Sequence, residues 1–300
     1  MYSCHPEGTH GSFSIAIEVI PKYVTPVHLE SNISKENRHN PYEVIMMLET
    51  SNYLKRLESN QFSIFTQKFH NSVSKTIDHF EGHIIKKDNH TYLATFTSVT
   101  NAVLCALKIQ ADFKYITPKF DKDLRKLNMG ICAFGPSDVN MATREEAIPV
   151  VAGMCELVTD PLVISSEINA LYEQENRNAR IDRELIRILR PKEERFLARL
   201  IDYSEQSWNS TAFNISSFSA VFGYSRSRLY RQLMKLTGKS PGRFIREFRL
   251  HKALNLLHAQ FGSIGEIARA SGFKSPGYFT KCFVKKFGIL PSKYVQHYVG

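Results

Sequence analysis

Cysteine is scarce in this sequence, and its placement gives no disulfide framework. The 300 residues hold five cysteines, an odd number, and these are scattered without a Cys-x-x-Cys pair. This distribution favours reduced thiols in a cytoplasm. No apolar run approaches the roughly 20 residues of a transmembrane helix, and the N-terminus lacks the cationic start and apolar core of a signal peptide. We therefore expect a cytoplasmic protein with no membrane partner.

Motifs for cofactor, metal and nucleophile chemistry are also missing. The sequence has no glycine-rich phosphate loop, no His-Glu-x-x-His zinc motif and no nucleophile elbow. Cys4, His5 and His10 stand close together, but no second ligand pair lies at zinc-finger spacing. Three further cysteines lie within apolar stretches and are predicted to be core residues: Cys105, Cys132 and Cys155. We expect neither a metal ion nor a cofactor.

The positive charge of the chain is unevenly divided. Of the 39 Lys and Arg and the 29 Asp and Glu, residues 191–300 contain 18 and 6, which leaves 21 and 23 for residues 1–190. All of the net charge of +10 therefore comes from the last third. An asymmetry of this kind indicates a polyanionic partner for one domain. A basic surface that merely aids solubility is the alternative that charge alone leaves open.

Hydrophobic periodicity divides the chain into two domains of different class. Residues 1–40 are irregular, and residues 41–175 mix strands with helices, including a hairpin whose turn is Asp-Asn-His before Thr91. The basic run at 176–190 is the predicted linker. From residue 191 to 300 only helical patterns occur. The predicted fold class is an α+β N-terminal domain followed by an all-α C-terminal domain.

The C-terminal domain contains an internal repeat. The stretch GYSRSRLYRQLMKLTGKSP recurs as GFKSPGYFTKCFVKKFGILP, and from Ser225 onward the two copies align at an offset of 50 residues. Each copy predicts a short helix, a turn at glycine and a second helix, with Ser225 or Ser275 as the N-cap and Gly238 or Gly288 at the C-terminal stop. Large apolar side chains lie on one face of the second helix and basic side chains on the other. A helix of this kind behind a tight turn is suited to a DNA major groove.

Between the two copies, residues 240–258 predict one long helix whose apolar positions can pack on both. With PKEERFLARLIDYSEQSW as its first helix, the whole region resembles the DNA-binding domain of the AraC/XylS transcription regulators. The resemblance covers about 100 residues and includes FIREFRLHKALNLL and SIGEIARASGFKSPGYFTKCFVKKFGILPSKY. A double helix-turn-helix with this linker is far more specific than a single one. It implies two recognition helices, Ser225–Leu236 and Pro276–Phe287, that enter adjacent major-groove segments.

The resemblance also implies which residues meet DNA. Those placed to face bases are Ser227, Tyr230 and Arg231 in the first recognition helix and Gly277, Tyr278 and Lys281 in the second. Those expected to contact phosphate are Arg226, Arg228, Lys239, Lys274, Ser275 and Lys285. Arg231 is the best candidate for a bidentate contact to guanine. Because Gly277 offers no side chain, the second helix is expected to rely more on phosphate. For any single basic residue, a solvated charge is the alternative.

The N-terminal domain resembles a different family. HFEGHIIKKDNHTYLATFTSVTNAVLCALKIQ is similar to the hairpin and following helix of a class III nucleotide cyclase catalytic domain. VIMMLETS would be the first strand of that domain, and LNMGICAFG, EEAIPVVAGMCELV and DPLVISSEI continue its pattern in order. The resemblance covers about residues 42–175 and implies a ferredoxin-like sheet with helices. Dimers of that family pair head to tail across the catalytic cleft, so the resemblance also implies a homodimer.

The positions that carry catalysis in the cyclase family are altered here. The two metal-binding aspartates fall on Glu49 and His90, and the transition-state asparagine and arginine fall on Pro149 and Gly153. Histidine is a poor ligand for magnesium, which prefers oxygen. Proline and glycine offer no side-chain donor to developing charge. We expect a non-catalytic domain that is retained for dimerisation or for sensing a small-molecule effector.

Together these patterns predict a sequence-specific transcription regulator that binds double-stranded promoter DNA, has no catalytic residues and is not an enzyme. RNA polymerase is a further candidate partner. The alternative is a diverged nucleotide cyclase tethered to DNA, which would use Glu49 and an unconventional second metal ligand. A nonspecific, chromatin-like binder is disfavoured because the capped and repeated helices predict a defined geometry.

Overall fold

The computed structural model describes residues 42–50, 59–88, 91–116, 127–135, 143–177, 180–210 and 212–298. The predicted irregular segment 1–40, which includes Cys4, His5 and His10, lies outside these residues, and so does His90. The cysteines that the structure describes are all buried, namely Cys105, Cys132, Cys155 and Cys282, so the three predicted as core residues are confirmed. Among the described helices, none is long and apolar enough to cross a membrane.

A six-stranded mixed sheet forms the centre of the N-terminal domain. Its strands are β1 (Glu43–Thr50), β2 (His83–Lys87), β3 (Thr91–Phe96), β4 (Leu127–Phe134), β5 (Leu162–Ile164) and β6 (Arg187–Ile188). They lie in the order β2-β3-β1-β4-β5-β6. β1 is antiparallel to β3 and β4, whereas β5 is parallel to β4 and β6. β1 and β4 are apolar along most of their length because both faces of this sheet are covered.

Helices cover the sheet on both sides. They are α1 (Ser59–His79), α2 (Val99–Ile116), α3 (Arg144–Leu157) and α4 (Ser166–Glu175). The succession β1-α1-β2-β3-α2-β4 gives a ferredoxin-like arrangement. α1, α2 and α4 share a core with Val44, Met46 and Leu48 of β1. On the other face α3 lies against β1 and β4, and the Cys155 thiol donates to the Met47 carbonyl oxygen at 3.2 Å. The predicted α+β class is confirmed.

The segment predicted as a linker contributes the sixth strand. Within it, β6 pairs in parallel with β5, and Leu189 is fully buried. The Arg187 guanidinium pairs with the carboxylates of Asp160 and Glu193 at 3.3 and 3.4 Å. The chain therefore leaves the sheet through residues that are hydrogen-bonded and ion-paired. The domain boundaries at 175 and 191 stay predictions.

The described residues after the sheet are helical, which confirms the all-α class predicted for the C-terminal domain. Its helices are α5 (Pro191–Ser207), α6 (Ile215–Phe222), α7 (Arg226–Thr237), α8 (Pro241–His258), α9 (Ile264–Ala270), α10 (Pro276–Phe287) and α11 (Pro291–Tyr298). The two copies of the repeat are the helix pairs α6–α7 and α9–α10. α8 is the long helix between them.

Both copies of the repeat carry the predicted caps. The Ser225 and Ser275 hydroxyls each accept a hydrogen bond at 3.3 Å from the backbone N–H of the third residue of the following helix. Gly238 and Gly288 end those helices with φ angles of 62° and 75°. Glycine adopts such angles at the least cost because it has no Cβ. The sequence repeat is therefore also a structural repeat.

α8 packs on both copies of the repeat, as its apolar positions predict; we call α6 and α7 the first unit and α9 and α10 the second unit. Phe248 contacts Phe213, which lies just before the first unit, with ring centroids 6.4 Å apart. Leu254 and Leu257 belong to the core of the second unit. Ser240 occupies the predicted N-cap position, but its side chain makes no capping hydrogen bond.

The C-terminal domain docks on α3 through its first helix, α5. A Cβ built on Gly153 of α3 would overlap Ile201 Cδ1 and lie 3.5 Å from Leu197 Cδ1. α5 can therefore approach α3 closely only because residue 153 has no side chain. A second contact follows α3, where the Thr159 N–H donates to the Leu236 carbonyl oxygen at 3.3 Å. The N-terminal domain thus touches the end of α7.

Candidate nucleic-acid interface

α7, the first predicted recognition helix, has one apolar and one polar face. Leu229, Leu233 and Leu236 are buried to 2% exposure or less. Their spacing of four and three residues places them along one side of the helix. The cap at Ser225 and the left-handed Gly238 fix where this helix begins and ends. The opposite side is left to solvent.

The three base-contact candidates of α7 lie on the solvent side. Ser227, Tyr230 and Arg231 are all exposed, and Tyr230 is 49% exposed despite its large aromatic ring. Arg231 makes no ion pair among the described residues. The guanidinium is therefore available for a partner outside the chain, and its contact with a base stays a prediction.

α10, the second predicted recognition helix, repeats this division. Phe279 and Phe283 are fully buried, while Gly277, Tyr278 and Lys281 are exposed. Tyr278 is 52% exposed, close to the value for Tyr230 on α7. Each of the two helices thus exposes an aromatic ring and a cation, with the ring near the middle of α7 and in the first turn of α10.

Five of the six phosphate-contact candidates are exposed: Arg226, Arg228, Lys274, Ser275 and Lys285. Two of them are oriented by neighbours within the first unit. Arg226 donates to the Ser216 hydroxyl at 3.0 Å, and the Arg228 guanidinium lies 4.1 Å from the centroid of the Tyr224 ring. Such contacts limit the side-chain freedom that would be lost on binding an anion.

The sixth candidate, Lys239, lies in a different environment. Its side chain is 22% exposed, and its ammonium pairs with the Glu247 carboxylate at 3.2 Å. Lys239 therefore has an anionic partner within the chain. Its contact with phosphate stays a prediction that would require sharing or breaking this ion pair.

Glu247 is a residue that sequence reasoning missed, although the structure makes it central. Its side chain is 10% exposed and accepts from three cations, at 3.2 Å from Lys239, 2.7 Å from Arg243 and 3.2 Å from Lys286. Lys239 precedes α8, Arg243 is on α8 and Lys286 is on α10, so one carboxylate ties the second unit to the linker helix. One feature of the sequence could have indicated this role: Glu247 is the only acidic residue between Glu205 and Glu266.

The pKa of Glu247 reflects these partners. Burial of the carboxyl raises the pKa, but the hydrogen bond from Arg243 and the charges of Lys239 and Lys286 more than offset this effect. The pKa falls from 4.5 to about 2. The carboxylate is therefore ionised at every physiological pH.

Three of the four positions aligned with cyclase catalysis lie among the described residues, on β1 and α3. Glu49 lies near the end of β1, opposite Thr91 of β3. Pro149 and Gly153 lie one turn apart in α3, and Gly153 is covered by α5. No group of three His, Cys, Asp or Glu that could hold a metal ion occurs in the part of the chain that the structure describes.

Comparison with known proteins identifies the C-terminal domain. Residues 218–297 match the family model described as "Helix-turn-helix domain". Histidine kinase P4 of Formosa agariphila is 37% identical over 106 residues, which are 35% of this chain and 8% of that protein. The HTH-type transcriptional activator RhaR of Pectobacterium carotovorum is 33% identical over 88 residues, 29% of this chain and 31% of that protein. The chain spans less than a third of the length of either relative.

Solved structures are similar to each end of the chain. The DNA-binding domain of AdpA in complex with a target DNA is 26% identical, covering 34% of this chain and 90% of that chain with a TM-score of 0.32. A bacterial light-regulated adenylyl cyclase is 17% identical, covering 37% of this chain and 38% of that chain with a TM-score of 0.31. At these TM-scores the likenesses add no argument to the geometry described above.

Residues 218–297 form a helix-turn-helix domain, as the matched family model and the two capped helix pairs show.

Proposed function

We propose that this chain is a sequence-specific transcription regulator that binds promoter DNA in the cytoplasm, with α7 and α10 in successive major grooves. The observation that carries the proposal is the pair of exposed, identically capped helices held on one linker helix. α8 has 18 residues and is about 27 Å long. Major grooves on one face of DNA recur about 34 Å apart. A rigid helix of this length supports an asymmetric DNA site, in which two short sequence elements lie one helical turn apart.

Selection of bound sequences from a random DNA pool tests this proposal directly. We expect the wild-type chain to enrich two elements with a fixed spacing of about 10 base pairs. Recovery of unenriched sequences at every round would argue against sequence-specific binding. Repeating the selection with cell metabolites added would reveal an effector that shifts the affinity.

Arg231→Ala is expected to relax the preference in one element alone. A bidentate contact to guanine is worth about 1–3 kcal/mol, so affinity for the selected site should fall by roughly 5- to 150-fold. The matched comparison is Lys285→Ala, which should weaken all sequences alike and lower the salt slope by about one. Repeating the selection with each variant checks both results. An unchanged base preference in Arg231→Ala would contradict the assignment.

The N-terminal domain would set the oligomeric state of the regulator or its response to a small-molecule effector. Its contacts with the first unit support this role. The Thr159 N–H donates to the Leu236 carbonyl oxygen. Within the C-terminal domain, Glu193 of α5 pairs with Lys235 of α7 at 2.9 Å. Glu193 also pairs with Arg187 of β6. Glu193 thus connects the last strand of the sheet to α7. RNA polymerase is a further candidate partner of the bound regulator.

Removing the N-terminal domain is expected to weaken DNA binding without abolishing it. A fragment of residues 191–300 keeps both units but loses the avidity of a homodimer, which can be worth 10²-fold or more. It also loses Arg187 as a partner of Glu193. Circular dichroism would establish that the fragment is folded, and anisotropy titrations would compare the affinities. A folded fragment that binds as tightly as the full chain would contradict a dimerising role.

The chain is expected to form no cyclic AMP or cyclic GMP from the triphosphates, with magnesium or manganese. Residue 153 has no side chain and is covered by α5, so it cannot donate to a transition state in a cleft. Chromatographic assay of the products would check this. Steady production that Glu49→Ala abolishes would revive the alternative of a diverged cyclase tethered to DNA, which no observation on the described residues favours.

A further inference from the structure

A basic concavity lies between α8 and α10 in the described part of the C-terminal domain. Its volume is about 590 Å³, and five cationic side chains contribute to its wall: Arg243, Arg246, Lys281, Lys285 and Lys286. The linear sequence does not reveal it, because the two arginines and the three lysines come from segments about 40 residues apart. We call this feature the α8–α10 concavity.

The charge of the α8–α10 concavity is poorly compensated. Its only acidic wall residue is Glu247, and that carboxylate is already shared by Lys239, Arg243 and Lys286. Arg246 and Lys281 make no ion pair among the residues that the structure describes, and the same holds for Lys285. A concave surface with several unpaired cations concentrates the positive potential and favours an anionic ligand.

Two arginines of α8, Arg243 and Arg246, lie where they can reach such a ligand. Arg243 uses Nε to donate to Glu247 Oε1 at 2.7 Å and is 56% exposed. Its terminal amino groups therefore retain donors, since a guanidinium has five in all. Arg246 lies nearly one turn further along the helix and lines the same concavity. A planar guanidinium suits the bidentate geometry of a phosphate.

The other wall of the concavity includes the predicted reading face of α10. Tyr278 and Lys281 are exposed, predicted to face bases and part of the same concavity. A helix that enters a major groove is flanked by the sugar-phosphate strands that border the groove. The concavity is thus adjacent to the place where one such strand would run.

We propose that the α8–α10 concavity holds the phosphates of the DNA strand bordering the groove that α10 enters, with Arg246 and Arg243 as contacts beyond those on the recognition helices. The inference rests on the proposed function and extends it, because it makes the linker helix a direct DNA contact. Phosphate contacts carry no base preference. They also compensate for the missing side chain of Gly277, since they anchor a helix that has fewer groups to read bases.

The salt dependence of binding to a random-sequence DNA duplex tests this assignment in the full chain. Each phosphate contact contributes about 0.9 to the slope of log affinity against log salt. Arg246→Gln should lower that slope by about 0.9. Between 50 and 200 mM salt, the wild type should then lose roughly 3.5-fold more affinity than the variant. The matched control is Arg183→Gln, which removes the same charge from an exposed arginine before β6 and should leave the slope unchanged.

Two further measurements separate the outcomes. Arg246→Lys should restore most of the slope, because lysine also binds phosphate as a point charge. Isothermal titration with a nucleoside triphosphate, without DNA, asks whether free phosphate is the ligand instead. If Arg246→Gln keeps the wild-type slope, the inference is overturned, and triphosphate binding lost in that variant would reassign the concavity to a small ligand. If the wild type binds no duplex at all, the proposed function fails along with it.

Discussion

Inserting five base pairs between the two elements of the bound site is expected to lower affinity by about 10²-fold or more. Half a helical turn moves the second element to the opposite face of the DNA. α8 is a single helix of 18 residues that packs into the cores of both units, so α10 cannot follow. One of the two units must then leave the DNA. Two linked contacts raise affinity by about 10²–10⁴-fold over one contact, and this gain is lost. Twisting or bending the DNA back would cost several kcal/mol.

A ten-base-pair insertion is the matched control for this experiment. It returns the second element to the original face but moves it about 34 Å further away, beyond the reach of a helix of about 27 Å. Flexibly joined units would recover affinity at ten base pairs, whereas units on a rigid helix would not. Gel-shift titrations of the three sites distinguish these cases. Undiminished binding to the five-base-pair site would show that α10 does not engage DNA.

Glu247→Gln is expected to destabilise the C-terminal domain by about 3 kcal/mol. Glutamine keeps the shape but removes the charge, which leaves Lys239 and Lys286 near each other without their shared anion. Breaking a buried ion pair from one side costs about 3–5 kcal/mol. The matched comparison is Asp112→Asn, which breaks the i,i+4 pair with Lys108 on α2 and should cost less than about 0.5 kcal/mol. Urea unfolding of both variants measures the difference, and equal small losses would contradict the role assigned to Glu247.

The pH dependence of the free energy of unfolding gives an independent measure of the ion cluster that Glu247 forms with Lys239, Arg243 and Lys286. Because the pKa of Glu247 is lowered from 4.5 to about 2 in the folded state, its contribution to the free energy of unfolding is present above the unfolded value. That contribution, about 3 kcal/mol, is lost as pH falls from 4.5 through 2. Unfolding curves of the wild type between pH 7 and pH 2.5 should therefore converge toward those of Glu247→Gln.

Local sequence determines much of the C-terminal domain, which is why its architecture was predictable. A cap such as Ser225 and a left-handed stop such as Gly238 act within one or two turns, so the residues themselves mark the ends of α7. The exposed face with Tyr230 and Arg231 follows from helical periodicity once those ends are known. The candidate reading faces could therefore be placed before the structure, although contact with DNA remains a prediction.

Long-range contacts account for what the sequence did not reveal. Glu247 looks like one surface acid until the structure brings Lys286 to it from 39 positions away. Arg246 belongs to a concavity that exists only once α10 packs on α8. Likewise, residues 187–188 read as part of a basic linker, because a two-residue strand is too short to show any periodicity.

The missing side chain at Gly153 makes this position a sensitive point of the contact between the two domains. Any side chain introduced there would have to displace Ile201 and with it α5, the first helix of the C-terminal domain. A substitution at this one residue of α3 would therefore act on the placement of the helical domain, far from the faces of α7 and α10 themselves.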